Sequence, residues 1–168
     1  MATPHELETE RLRLVPLTTA HADEMAPLLD DPALHTYVGG APVSLEELRE
    51  RYARQARGRS ADRRERWLNW IVRERTSGAA VGYVQATIDE EQRAAQVAWV
   101  IGSGYQGRGY AAEAAAAMVA RLADDGIRAI VAHIHPDHAA SAGVARAIGL
   151  SPTSVVVDGE VRWERSLG

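Results

Sequence analysis

Gln106-Gly107-Arg108-Gly109-Tyr110-Ala111 is the stretch on which the reading of this chain turns. It stands between an apolar run, residues 96–101, and an alanine-rich run, residues 110–124, so a strand ends in glycines and passes straight into a helix. Glycines let a backbone approach an anion closely, and the first turn of a helix leaves its N–H groups without internal partners. Arg108 adds a guanidinium, whose planar fork suits phosphate. Downstream, residues 128–134 read as a second strand that delivers His135-Pro136-Asp137-His138-Ala139-Ala140-Ser141 to the same end of the sheet. A last helix over 139–148 then stops at Gly149. The pattern is a device for holding phosphates.

This pair of segments resembles the GCN5-related N-acetyltransferase (GNAT) superfamily, in which Gln/Arg-x-x-Gly-x-Gly/Ala cradles the pyrophosphate of acetyl-coenzyme A. Gln106, Gly109 and Ala111 occupy the three defining positions. Thr9-Glu10-Arg11-Leu12-Arg13-Leu14-Val15-Pro16-Leu17 is similar to the opening strand of the RimJ/RimL-like branch, and residues 141–150 to that branch's last core helix and its stop. The resemblance implies a single α/β domain over residues 9–168, with a mixed, twisted central sheet whose central strands splay apart, flanked by helices. Residues 1–8 are expected to be a loose leader.

The resemblance also implies an acetyl-coenzyme A-dependent N-acetyltransferase acting by direct attack of a primary amine on the thioester. Cofactor-binding positions carried over from it are Val100, Ile101, Gln106, Gly107, Arg108, Gly109, Tyr110, Ala111, Ala112, His138 and Ser141. A backbone N–H near Val100 is the expected oxyanion donor. Three positions depart from the family. His138 stands where an asparagine usually bonds the pantetheine arm. Ala145 replaces the tyrosine that protonates the leaving thiolate, which leaves Ser141 or water for that task. Gln96 replaces a glutamate base and can only position the amine or a water. Ser141 and Gln96 are therefore the catalytic candidates, with His133, His135 and Asp89 to Glu91 as substitute bases. A coenzyme A-binding regulatory protein without turnover stays open as the alternative.

Two decoys compete. Gly102-Ser103-Gly104-Tyr105-Gln106-Gly107 satisfies the G-x-G-x-x-G dinucleotide fingerprint, but the next strand ends in histidines rather than an acid, and too little chain follows for a doubly wound sheet. His133-Ile134-His135-Pro136-Asp137-His138 reads as H-x-H-x-D-H, yet no later histidine is available to complete a metal centre. No metal is expected.

The rest of the chain reads in order. Residues 11–17 alternate as a strand, Thr18 and Thr19 cap a helix over 20–29, and Ser44 opens another that reaches Gln55. The charged residues 57–66 read as a surface loop. Strands over 67–74 and 81–88 form a hairpin, as do 151–157 and 160–166 across Asp158-Gly159. Residues 96–101, largely apolar on both faces, are expected to be a central strand covered on both sides. The tryptophans 67, 70, 99 and 163 are core candidates, while Tyr37 and Tyr52 sit in the region expected to shape the acceptor pocket.

Composition sets bounds. At 168 residues and 46% apolar, the chain can build one proper core, and a net charge of −4 argues against nucleic-acid binding. Cysteine is absent, which removes thiolate chemistry and disulfides. Lysine is absent too, so every permanent cation is an arginine and no Schiff base can form. With no signal segment and no long apolar run, a cytoplasmic protein without a membrane is the expectation, as a monomer or homodimer.

Overall fold

The structure, a computed structural model, describes residues 5–36 and 42–168. Eight strands form one sheet in the order β1-β2-β3-β4-β5-β6-β8-β7. In chain order these are β1 (Leu7–Glu8), β2 (Leu12–Pro16), β3 (Glu65–Glu74), β4 (Ala80–Asp89), β5 (Ala94–Ile101), β6 (Ala129–Ile134), β7 (Ser151–Val157) and β8 (Glu160–Ser166). Four α-helices accompany them: α1 (Ala22–Leu29), α2 (Leu45–Gln55), α3 (Tyr110–Asp124) and α4 (Ala139–Ala147). The α/β mixed sheet with helices on its faces is the architecture expected. Among the described residues no helix is long and apolar enough to cross a membrane.

Local chemistry explains most boundaries. Ser44 accepts the Glu47 N–H at 3.2 Å and donates its hydroxyl to the Glu47 carboxylate at 3.1 Å, a side-chain N-cap at the start of α2. Thr18 starts a 3-10 turn rather than α1 itself, with His21 Nδ1 accepting the Thr18 N–H at 2.9 Å. Asp158 (φ +51°) and Gly159 (φ +80°) make the tight β7–β8 hairpin, whose strands end where the sequence places them. Of the leader expected over residues 1–8, the described residues 5–8 are joined to the sheet. Leu7–Glu8 pair with β2, and the His5 carbonyl accepts the Trp70 indole N–H at 2.8 Å, because a buried indole needs an acceptor. Tyr37 lies outside the described residues.

Two cores result. On one face, α3 and α4 lay Ala114, Ala115, Met118, Leu122 and Ala145 against Val84, Ala86, Val97, Ile130 and Trp163. On the other, α1 and α2 lay Ala22, Met25, Leu48 and Tyr52 against Ile71. Because α1 and α2 sit over β3 and β4, the corresponding face of β5 is only partly covered: Ala98 and Val100 are half-buried and Gln96 is exposed. The expectation that β5 is covered on both faces is corrected accordingly. Trp70 and Trp163 are buried, whereas Trp67 and Trp99 are half-buried.

The central feature is where strands part. β5 stays paired with β4 along its whole length, from Asp89 opposite Ala94 to Gly82 opposite Ile101. Its parallel pairing with β6 covers only Ala94–Ala129, Ala95–Ile130 and Gln96–Val131. Beyond Gln96 the two strands diverge, each held by its outer neighbour. The β4 side of this junction is tight: a Cβ on Gly82 would stand 2.1 Å from the Val100 carbonyl oxygen and 2.9 Å from Ile101 Cα. Gly82→Ala should therefore cost about 1–3 kcal/mol by overpacking. Urea denaturation should record this as a lower midpoint with an unchanged slope.

Candidate active site

The glycine turn closes the end of β5. Ser103–Tyr105 make one 3-10 turn, tied down by the Ser103 hydroxyl donating to Asp31 Oδ2 at 2.5 Å. Gly107 and Gly109 both take φ +79°, a left-handed conformation that L side chains adopt only under strain. Gly109 is the N-cap residue of α3 and has no side chain to cover the helix's first amides. Among the described residues the N–H groups of Gly107, Arg108 and Gly109 have no hydrogen-bond partner. With the first-turn amides of Tyr110, Ala111 and Ala112 they form a positive, anion-seeking surface.

Charged side chains brace this surface from outside, a network the sequence reading missed. Glu113 accepts from the Thr9 hydroxyl, from the Arg11 backbone N–H at 3.0 Å and from Arg11 Nε at 2.8 Å. Arg11 also donates to the Arg108 carbonyl at 2.8 Å and stacks over the Tyr110 ring at 4.7 Å. Glu74 accepts from Tyr110 Oη at 2.6 Å and from Ser77 Oγ at 2.7 Å, with Arg108 Nη1 3.4 Å away. Tyr110 thus anchors the helix start instead of facing the turn's amides. The available signal was the pairing of acidic Glu113 in a helix's first turn with Arg11, just before β2.

The titration of these groups follows. The Tyr110 and Ser77 hydroxyls hold Glu74 below the ordinary carboxylate range against opposing burial, and Glu74 in turn raises the Tyr110 phenol. Burial pushes Glu113 upward, but Thr9 and Arg11 together outweigh it and hold it low.

Alternation along the ladder decides which amides of β5 face the gap. Gly102 N–H bonds the Val81 carbonyl at 2.8 Å, so the pairs Val100–Tyr83 and Ala98–Gln85 in the same register are the hydrogen-bonded ones. The amide of Val100 therefore points to β4, while those of Val97, Trp99 and Ile101 point toward β6 and the gap. The Val100 amide itself is therefore committed to β4. The Ile101 carbonyl accepts the Gln106 side-chain amide at 2.9 Å, so Gln106 ties the turn to the strand end.

Across the gap, β6 leads to α4. Ser141 Oγ lies 3.4 Å from His138 Nε2, a long contact. Burial, with the nearby His135, lowers the His138 pKa, which keeps the imidazole neutral near pH 7. Ala145 is fully buried in the core and offers no proton. Gln96 lies at the apex of the gap, on the same face as His133, whose strand neighbour Arg162 bonds Glu164 at 2.6 Å. Of the substitute bases, Asp89 accepts the Gln92 N–H at 3.0 Å in a turn, and Glu90 pairs with Arg59 and Arg66. His135 Nδ1 accepts the Asp137 N–H at 3.0 Å. No cluster of three or more metal-ligating side chains exists among the described residues.

A family model described as an acetyltransferase (GNAT) domain matches residues 11–151. The chain therefore belongs to the GNAT acetyltransferase family and is an acetyl-transferring enzyme. RimL, a ribosomal-protein α-N-acetyltransferase in complex with coenzyme A, matches with a TM-score of 0.81 at 18% identity, over 96% of this chain and 98% of that one. An acetyl transferase from Salmonella typhimurium that modifies the N-terminal serine of a ribosomal protein gives 0.79 at 19% identity, over 96% and 99%. The microcin C7 self-immunity acetyltransferase MccE, in complex with acetyl-CoA and AMP, gives 0.77 at 14% identity, over 94% and 93%. At such identities the likeness is one of fold. No curated protein sequence matches the chain.

A pH prediction follows from the bracing carboxylates. Both are depressed in the folded state, so their stabilisation is complete above the unfolded carboxylate pKa of about 4.3 and is lost as pH falls through the folded values. Glu113→Gln should lower stability at neutral pH and make its decline below about pH 5 shallower, measured by urea midpoints across pH.

Proposed function

We propose that the chain transfers an acetyl group from acetyl-coenzyme A to a primary amine, either the α-amine of a protein N-terminus or that of a small molecule. The observation that carries this reading is the three-pair ladder between β5 and β6, which opens beside a turn whose amides have no partners. The main-chain N–H groups of Gly107 to Ala112 are suited to a diphosphate, with Arg108 as the nearby cation. The gap-facing groups of Trp99 and Ile101 can bond an extended amide-bearing arm as an added strand would. His138 and Ser141 line the opposite wall of that path.

The bound donor supplies a thioester, whose acetyl carbon forms the new bond to nitrogen while the C–S bond breaks. This chain supplies the rest. Gln96, at the apex, positions the amine or a water that takes its proton, since an amide cannot accept that proton itself. The Trp99 N–H, directed into the gap, is placed to stabilise developing negative charge on the carbonyl oxygen. Ser141 is the proton source for the leaving thiolate, in hydrogen-bond reach of a neutral imidazole that keeps the hydroxyl oriented. The transfer in this reading is direct: the amine nitrogen attacks the thioester carbon itself, and Ser141 gives a proton rather than carrying the acyl group. An α-amine, with a pKa of about 7.7–8.0 against about 10.4 for a lysine side chain, is partly neutral at pH 7 and needs no strong base. The missing glutamate therefore favours weakly basic amines.

Calorimetry with acetyl-coenzyme A and a thiol-release assay over an amine panel test the reading. Gly109→Val should lose coenzyme A affinity while retaining far-UV helical signal; unchanged affinity would remove the turn from the site. Ser141→Ala should lower kcat by about 10²-fold, the low end for a general acid. Binding without thiol release from any amine would favour the regulatory alternative.

A further inference from the structure

Under α2 lies a cavity of about 230 Å³ that neither the turn nor the gap accounts for. Its floor is the α1/α2 face of β3 and β4, where Asn69 stands opposite Gln85. Gln85 in turn stands opposite Ala98 on β5, two residues from Gln96 on the same face. The cavity thus abuts the strand from which β6 has parted. Its volume lies below the roughly 300–1,000 Å³ of pockets that hold drug-sized ligands. It suits a group the size of one amino-acid residue.

The polar lining is incomplete. Tyr52 is only 3% exposed, yet its hydroxyl has no hydrogen-bond partner among the described residues. A buried hydroxyl in that state is destabilising unless something arrives to bond it. The side-chain amides of Asn69 and Gln85 also make no hydrogen bond among the described residues, and Asn69 is buried. Arg51, one residue before Tyr52 on α2, lines the same cavity from its exposed side and forms no ion pair there with any described residue. No carboxylate belongs to the lining. Among the described residues the only formal charge presented to an occupant is therefore positive.

This chemistry selects among amines. Polyamines and aminoglycosides carry several cations and require carboxylates; here they would meet Arg51 instead. We propose that the cavity is the acceptor site and takes a primary amine bearing a carboxylate within about one residue's length, with Arg51 binding the carboxylate and the amide floor directing the amine toward Ala98 and Gln96. Tyr52 supplies a hydrogen bond to the occupant's polar middle. The inference rests on the acetyl-transfer reading. It covers two sources of one chemistry, a free amino acid and a peptide beginning with an acidic residue.

The test uses the full chain with acetyl-coenzyme A and matched acceptors: serine, serine amide, 1,4-diaminobutane, and tripeptides beginning with Glu or with Gln. Thiol release gives kcat and KM, and calorimetry on the coenzyme A-loaded protein gives acceptor affinity whether or not turnover occurs. The carboxylate-bearing member of each pair should be preferred. Arg51→Gln should raise its KM about tenfold, the loss expected of one charge-assisted contact, and change its neutral partner by less than about twofold. Tyr52→Phe should raise KM for both members, with its melting temperature confirming an intact fold. Preference for serine or for the Glu peptide identifies the source and upholds the proposal either way. Preference for serine amide, the Gln peptide or the diamine overturns it, as does an Arg51→Gln effect equal on both members of a pair. If coenzyme A binds but no amine reacts, Arg51-dependent binding of a carboxylated amine upholds the site, and its absence overturns it. A failure of coenzyme A to bind would instead defeat the acetyl-transfer reading, and calorimetry of the same acceptors on the unloaded protein would then decide the cavity alone.

Discussion

The structure depends on a competition for backbone hydrogen bonds at β5. A central strand in an ordinary sheet is claimed from both sides along its length, because an unpaired buried amide is costly. Here β4 holds its side of β5 to the end, while β6 lets go after Gln96. β6 does not go unpaired, since all six of its residues have partners on β8. The sheet is thus two well-bonded halves joined by a short parallel seam. The groups of Trp99 and Ile101 that the seam abandons face the gap, with the Ile101 carbonyl already occupied by Gln106.

The glycine turn needs a second constraint. Left-handed glycines and an uncapped helix start are conformationally permissive, and permissive segments lose entropy when they order. Arg11 and Glu113 on one side, with Glu74 and Tyr110 on the other, fasten the turn to β2 and to the end of β3. These contacts use side chains, the Arg11 N–H and the Arg108 carbonyl, and among the described residues they leave the N–H groups of residues 107–109 without a partner. Rigidity and availability are separated in this way. The same separation explains why Tyr110, beside an anion-seeking surface, spends its hydroxyl on a carboxylate.

Much of the fold was legible because its signals are local. The Ser44–Glu47 spacing, the Asp158-Gly159 turn and the alanine-rich run after Gly109 each dictate structure within a few residues, and α2, the last hairpin and α3 appear where those signals stand. The glycine turn was legible for the same reason. What could not be read is what depends on layering. Residues 94–101 look equally apolar whether covered once or twice, and only the placement of α1 and α2 over β3 and β4 leaves Gln96 exposed. The direction of the Val100 amide depends on register, which a one-residue slip would reverse. The Arg11–Glu113 contact joins positions far apart in the chain. The cavity under α2 combines that helix with two strands, so Tyr52 could be named as nearby but not given a surrounding.

The arginines that fasten this molecule have a chemical corollary. A protein that works beside an activated thioester is exposed to adventitious acylation, and the ε-amine of lysine is the usual victim. This chain contains none. Arg11, Arg108 and Arg51 stay protonated at any physiological pH and offer no free amine lone pair, so the cations around the turn and at the cavity mouth cannot be consumed by the reagent beside which they stand.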